Sequence, residues 1–119
     1  MATVTAAAAS GTWRAPSLSA DGAEQATSQA AEPSAVNALR AMMREVVTAG
    51  TGTAAAVPGR AVAGKTGTAE FGPDVPPKTH AWFVGFEGNL AFAVLLESGG
   101  VGGRHAAPLA ARFVSSLPR

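Results

Sequence analysis

Lys65-Thr66-Gly67-Thr68 sets an ammonium, two hydroxyls and a glycine in four consecutive positions, within the segment Ala61–Phe71 that reads AVAGKTGTAEF. On an extended strand alternate side chains point to opposite faces, so Lys65 and Gly67 share one side and Thr66 and Thr68 the other. Glycine at 67 removes a side chain where a second backbone must come close. A strand of this kind at a sheet edge offers free N–H and C=O groups to an extended peptide, which docks as an added strand. The segment has the parts of a peptide-binding wall but no nucleophile beside it. None of the eight serines, Ser10, Ser34 and Ser98 among them, has a lysine three residues on, the spacing that sets a base next to a hydroxyl on a helix.

The same residues spell a second motif. Gly59 through Thr66, GRAVAGKT, satisfies G-x-x-x-x-G-K-[ST] letter for letter, and Leu90–Glu97 mimics the apolar strand ending in an acid that often holds magnesium in nucleotide-binding proteins. A phosphate-binding loop, however, follows a buried strand and opens a helix whose N–H groups face the phosphates. Thr51–Pro58 is not an apolar strand, and the run GTAEFGPDVPP after Thr66 cannot make a helix of useful length. Nucleotide binding is the weakest of the readings kept.

Composition narrows the field. The chain has 119 residues, 47% of them apolar with alanine prominent, a net charge of +1 and no cysteine. That is at most one domain, able to bury roughly two thirds of its unfolded surface. Charges are scattered singly, without the basic patch that nucleic acid requires. The absence of cysteine excludes disulfides and thiolate metal sites, and His80 and His105 stand far apart with no carboxylate at ligand spacing, so neither metal nor cofactor is expected. No run approaches the ~18 apolar residues of a membrane span. The N-terminal MATVTAAAASG lacks the basic region of a signal peptide and reads as the end of a helix stopped by Gly11. The chain is therefore expected to open within a helix that began earlier, with no targeting signal and no membrane contact of its own.

The elements that must position the wall follow in order. Thr12–Leu18 reads as a strand or extended segment, an edge at best because of Pro16. Ser19–Glu32 is polar and reads as a surface loop. Pro33–Ala49 is the clearest helix, with Val36, Leu39, Met43, Val46 and Val47 at helical spacing and Gly50 placed to end it. Thr51–Gly59 is a loop. Arg60–Phe71, His80–Glu87 and Leu90–Glu97 are strands, the last two joined by a tight turn at Gly88-Asn89. Both of those strands are apolar on both faces, so layers should cover each side of the sheet. Gly72–Thr79 is a Pro-rich connection, Ser98–Gly103 a glycine loop, and Arg104–Leu117 a final helix with Pro108 near its start. The fold class is α+β: a three-strand antiparallel meander packed with helices.

With its surroundings, the motif resembles the C-terminal part of the transpeptidase domain of bifunctional and monofunctional penicillin-binding proteins, over the whole of residues 1–119. The likeness runs through Met42-Met43-Arg44-Glu45-Val46-Val47, Gly50-Thr51-Gly52-Thr53, Ala63-Gly64-Lys65-Thr66-Gly67-Thr68-Ala69-Glu70 and Ala81-Trp82-Phe83-Val84-Gly85-Phe86. It continues through the apolar strand Ala91–Glu97 and Gly102-Gly103 followed by Ala106-Ala107-Pro108. Such enzymes carry S-x-x-K, an S-x-N triplet and K-T-G, and only the third is here. Three residues before Lys65 and Lys78 stand Val62 and Val75; two before Asn37 and Asn89 stand Ala35 and Glu87.

The resemblance implies a serine D,D-transpeptidase that cross-links peptidoglycan and binds β-lactams, at the extracytoplasmic face of a bacterial membrane. Its serine would attack the penultimate D-Ala carbonyl of a stem peptide, and the nucleophile would lie outside these residues, leaving this chain alone inactive. Lys65 would place positive charge near the nucleophile and the substrate's terminal carboxylate, Thr66 and Thr68 would hydrogen-bond that carboxylate, and the Thr68 backbone N–H would be an oxyanion donor. A non-enzymatic penicillin-binding-like fragment that needs a partner chain is the alternative. Other residues have plainer readings: Arg60, Glu70 and Lys78 as solvated charges, Trp82, Phe83 and Phe86 as core, His80 as structural, and His105 as capping or exposed.

Overall fold

The computed structural model describes residues 1–17, 19 and 27–118. Along the chain run α1 (Ala2–Ser10), β1 (Thr12–Arg14), β2 (Ser28–Ala30), α2 (Pro33–Thr48), β3 (Ala63–Phe71), β4 (Lys78–Glu87), β5 (Leu90–Leu96) and α3 (Gly102–Ser116). The last three strands form one antiparallel sheet in the order β3-β4-β5, and β1 and β2 form a separate two-stranded ribbon. Glu87 pairs directly with Leu90, so the β4–β5 turn has two residues, and Gly88 at φ 55 supplies the left-handed backbone such a turn needs.

Pleating sorts β4 between two cores. Ala81 and Phe83 point to one face, where with Phe92 of β5 they meet the Ala106, Ala107, Ala110 and Val114 stripe of α3, and Val47 of α2. The alanines let the helix backbone lie close to the sheet, and Phe83 is wholly buried there. Phe86 points to the other face, where Ala63 of β3 meets Ala8 of α1 and Met43 of α2. Layers cover both faces, as strands apolar on both sides require.

The helix ends follow local rules. Gly11 adopts φ 76 and its N–H bonds the Ala7 carbonyl at 2.8 Å, closing α1. At the start of α2, Pro33 sits in the first turn and the Glu32 carboxylate caps it, accepting from Ser34 N–H at 3.1 Å, Ala35 N–H at 2.8 Å and the Ser34 hydroxyl. The Ser34 hydroxyl first, then the Ala35 and Ser34 N–H groups, hold the Glu32 carboxyl below its ordinary value of 4.5. A carboxylate with a lowered folded pKa adds stability above its unfolded pKa and loses it as pH falls through the folded one. The urea midpoint is therefore expected to fall on acidification below 4.5, and less steeply in Glu32→Gln; equal pH slopes would deny the cap this role.

Three arginines brace the layers. Arg40 donates to the carbonyls of Ala8 at 3.1 Å and Ala9 at 2.6 Å, tying α2 to the end of α1. Arg44 donates to the Val62 carbonyl at 2.5 Å, just before β3. Arg60 is not the solvated charge its position suggested. Its side chain is 10% exposed, paired with Glu87 at 3.1 Å and donating to the Leu117 carbonyl at 2.6 Å. It fastens the chain entering β3 to the end of α3, a contact between residues 57 apart in sequence.

Other boundaries move as well. The expected loop Ser19–Glu32 contains β2, because Thr12↔Ala30 and Arg14↔Ser28 pair across a ribbon too short to show alternation; Leu18 and residues 20–26 lie outside the described residues. Helix α3 starts at Gly102 rather than Arg104, so part of the expected glycine loop is helical and Pro108 falls in the second turn. Among the described residues no helix is long and apolar enough to cross a membrane.

Candidate active-site wall

Strand β3 holds all four motif residues, and β4 is its one strand partner among the described residues, so its outer edge is open. The register sets Lys65 opposite Val84, Gly67 opposite Trp82 and Thr68 opposite Ala81. Lys65 is exposed and its Nζ donates to the Thr66 carbonyl at 2.7 Å. That carbonyl therefore points out of the sheet. In an antiparallel strand N–H and C=O of one residue point the same way, and the direction repeats every second residue. The Thr68 N–H thus faces the open edge beside the Lys65 ammonium.

A groove of about 410 Å³ runs along this edge, lined by Met1, Lys65, Thr66, Gly67, Thr68, Ala69, Trp82 and Val84. Trp82 is half-buried and forms part of its floor, where its position suggested core. A Cβ on Gly67 would meet only Trp82, its Cβ at 3.2 Å and Cγ at 3.9 Å, so glycine keeps the front of the strand clear. Beyond Trp82, the His80 ring stacks on Phe71 at 4.0 Å between centroids and its Nδ1 accepts the Ser98 N–H, a structural role. His105, exposed in α3, reaches back to the Val101 carbonyl with Nδ1.

Gly64 has a different use. A Cβ there would strike the Phe83 ring and come within 2.6 Å of the Val84 carbonyl. This glycine of the G-x-x-x-x-G-K-T match is a packing residue inside a strand, and no helix follows Lys65-Thr66. The phosphate-loop reading falls with it.

Along the edge that all three residues line, the two hydroxyls lie on the other face of β3 from the Lys65 side chain and are held from behind. Thr66 Oγ1 lies 2.7 Å from Thr51 Oγ1, and Thr68 Oγ1 accepts the Gly102 N–H at 3.3 Å. Helix α3 can sit so close because its first two residues lack side chains. A Cβ on Gly102 would collide with the Gly67 carbonyl and lie 2.5 Å from that of Trp82; one on Gly103 would lie 2.5 Å from the Thr51 carbonyl. Sequence reasoning passed over Thr51, Gly102 and Gly103 as site residues; the Gly-Thr repeat at 50–53 and the paired glycines were the available signals.

The meander and the helices on both faces are those of a penicillin-binding protein transpeptidase domain. The sequence model of the penicillin-binding protein transpeptidase domain matches residues 1–115. Penicillin-binding protein A from Mycobacterium tuberculosis, solved as a ceftriaxone acyl-enzyme complex, superposes with a TM-score of 0.80 at 28% identity, over 98% of this chain and 31% of that one. The D,D-transpeptidase domain of a peptidoglycan glycosyltransferase from Eggerthella lenta gives 0.69 at 31% identity, over 98% of this chain and 32% of that one. The transpeptidase domain of the FtsI4 D,D-transpeptidase from Legionella pneumophila gives 0.63 at 32% identity, over 71% and 35%. No curated protein sequence matches. The chain belongs to the penicillin-binding protein transpeptidase family, and it spans about a third of the length of these solved structures.

Proposed function

We propose that residues 1–119 are the C-terminal portion of a serine D,D-transpeptidase domain and supply the K-T-G wall of its active site. The observation that carries this reading is the open edge of β3, where the Thr68 N–H and the Lys65 ammonium face one groove in front of an unobstructed Gly67. The substrate is a peptidoglycan stem peptide, with β-lactams as its mimics, and the site faces the extracytoplasmic side of a bacterial membrane. An extended stem peptide adds to the free edge. A serine on other residues attacks the D-Ala carbonyl, and the oxyanion that forms is met by the Thr68 N–H and the serine's own N–H. One such donor is worth about 3 kcal/mol of transition-state stabilisation. Lys65, with Thr66 and Thr68, holds the terminal carboxylate.

A broad apolar cleft adjoins the groove and shares Met1, Lys65 and Val84 with it. Its wall includes Val4, Trp13, Leu39 and Met42, 61%, 40%, 41% and 57% exposed. Surface of that kind fits the packing of the serine-bearing portion beside Lys65. Intact-mass spectrometry after exposure to penicillin provides the test. The 119-residue chain alone is expected to gain no adduct, and the domain completed with a serine-bearing N-terminal portion is expected to gain one penicilloyl group. A stoichiometric adduct on the chain alone would place the nucleophile within it and sink this assignment. A folded, completed domain that stays unmodified would favour the non-enzymatic alternative.

A further inference from the structure

We propose that Thr51 is a positioning residue for the carboxylate site, an inference that rests on the transpeptidase reading and extends it beyond the motif. Thr51 follows α2 and does not line the groove. Its place is fixed on both sides: the Gly52 N–H bonds the Val46 carbonyl at 2.9 Å, and Gly103 abuts the Thr51 carbonyl. From that anchored turn its hydroxyl reaches Thr66 Oγ1 at 2.7 Å.

A hydroxyl has one proton to give and lone pairs to accept with. Between Thr51 and Thr66, one donates and the other accepts. An anion in the groove decides which: Thr66 donates to the carboxylate only if its own proton is free, so Thr51 must donate to Thr66. The chain then runs Thr51 to Thr66 to ligand, and each bond polarises the next. Thr68 is held in the same sense. The Gly102 N–H cannot accept, so Thr68 Oγ1 is the acceptor and its proton remains available. Both hydroxyls thus present protons rather than lone pairs, which selects a negatively charged group over a neutral one of the same shape.

The test compares benzylpenicillin with its methyl ester as acylating agents of the completed domain. Thr51→Val keeps the branched shape and removes the donor. It is expected to lower the second-order acylation rate for the free acid about tenfold, the upper end of what one neutral hydrogen bond contributes, and to leave the ester rate unchanged. Thr51→Ser is expected to restore the acid rate. An unchanged acid rate in Thr51→Val overturns the proposal. So does an equal loss for acid and ester, which would make Thr51 a purely structural residue. A parent domain that acylates neither compound refutes the transpeptidase reading itself. One that treats acid and ester alike refutes the carboxylate site.

Discussion

Alanine in place of Lys65 is expected to slow β-lactam acylation of the completed domain by roughly thirty-fold to a few thousand-fold, while Lys78→Ala leaves the rate nearly unchanged. Both are exposed lysines on β-strands, so charge count alone does not separate them; placement does. Lys65 lies in the groove beside the Thr68 N–H, with its Nζ spanning the free edge to the Thr66 carbonyl. A ligand that adds to this edge covers the ammonium, and removing one partner of a charge pair excluded from water costs on the order of 2–5 kcal/mol. Lys78 begins β4 and pairs with Asp74 at 3.4 Å across side chains 63% and 51% exposed. Exposed pairs of this sort contribute about 0–1 kcal/mol. Acylation rates measured with a fluorescent penicillin give the comparison, and equal rates for the two variants would remove Lys65 from the site.

Gly102→Ala is expected to destabilise the fold by about 1–3 kcal/mol, the usual cost of forcing a methyl group into filled space. The added Cβ meets backbone, the Gly67 and Trp82 carbonyls and the Gly67 N, so no side chain can rotate away. Helix α3 must lift from β3, and with it goes the N–H that holds Thr68 Oγ1. Alanine is the better helix former by up to about 1 kcal/mol, so the sign of the result discriminates: propensity predicts a gain, the close approach predicts a loss. Gly67→Ala provides the contrast, since its Cβ meets only Trp82 at 3.2 Å. It is expected to leave the urea midpoint close to that of the parent protein. A midpoint for Gly102→Ala at or above that of Gly67→Ala would show that α3 is not seated on the motif strand as described.

The two variants touch one stretch of strand from opposite sides, and that is where sequence and tertiary structure part ways. The meander was legible because two strands apolar on both faces flank a two-residue Gly88-Asn89 turn, and local backbone chemistry decides such a turn. Helix α2 was legible from its apolar period and from Gly50, and the end of α1 from Gly11 alone. Lys65, Thr66, Gly67 and Thr68 were legible as a group because a strand's period of two fixes which of them share a face. The sequence also separated the peptide-wall reading from the phosphate loop, since Gly-Pro and Pro-Pro so soon after Thr66 forbid a helix.

Tertiary structure decided what lies behind that wall. Arg60 and Glu87, Thr51 and Thr66, and Gly102 and Thr68 are 27, 15 and 34 residues apart, and no local pattern links them. Arg60 read as a surface charge because nothing nearby in sequence pairs with it; Glu87 arrives with the end of β4, and the Leu117 carbonyl only when α3 closes over the sheet. Gly102 and Gly103 read as loop because glycine is a poor helix former, and that preference yields to the contact their bare backbones make with β3. The strand's own residues specify the front of the wall, through alternation and the missing side chain at Gly67. Its rear is set by chain folded back from both directions, which brings the Thr51 hydroxyl against that of Thr66 and the Gly102 N–H against that of Thr68.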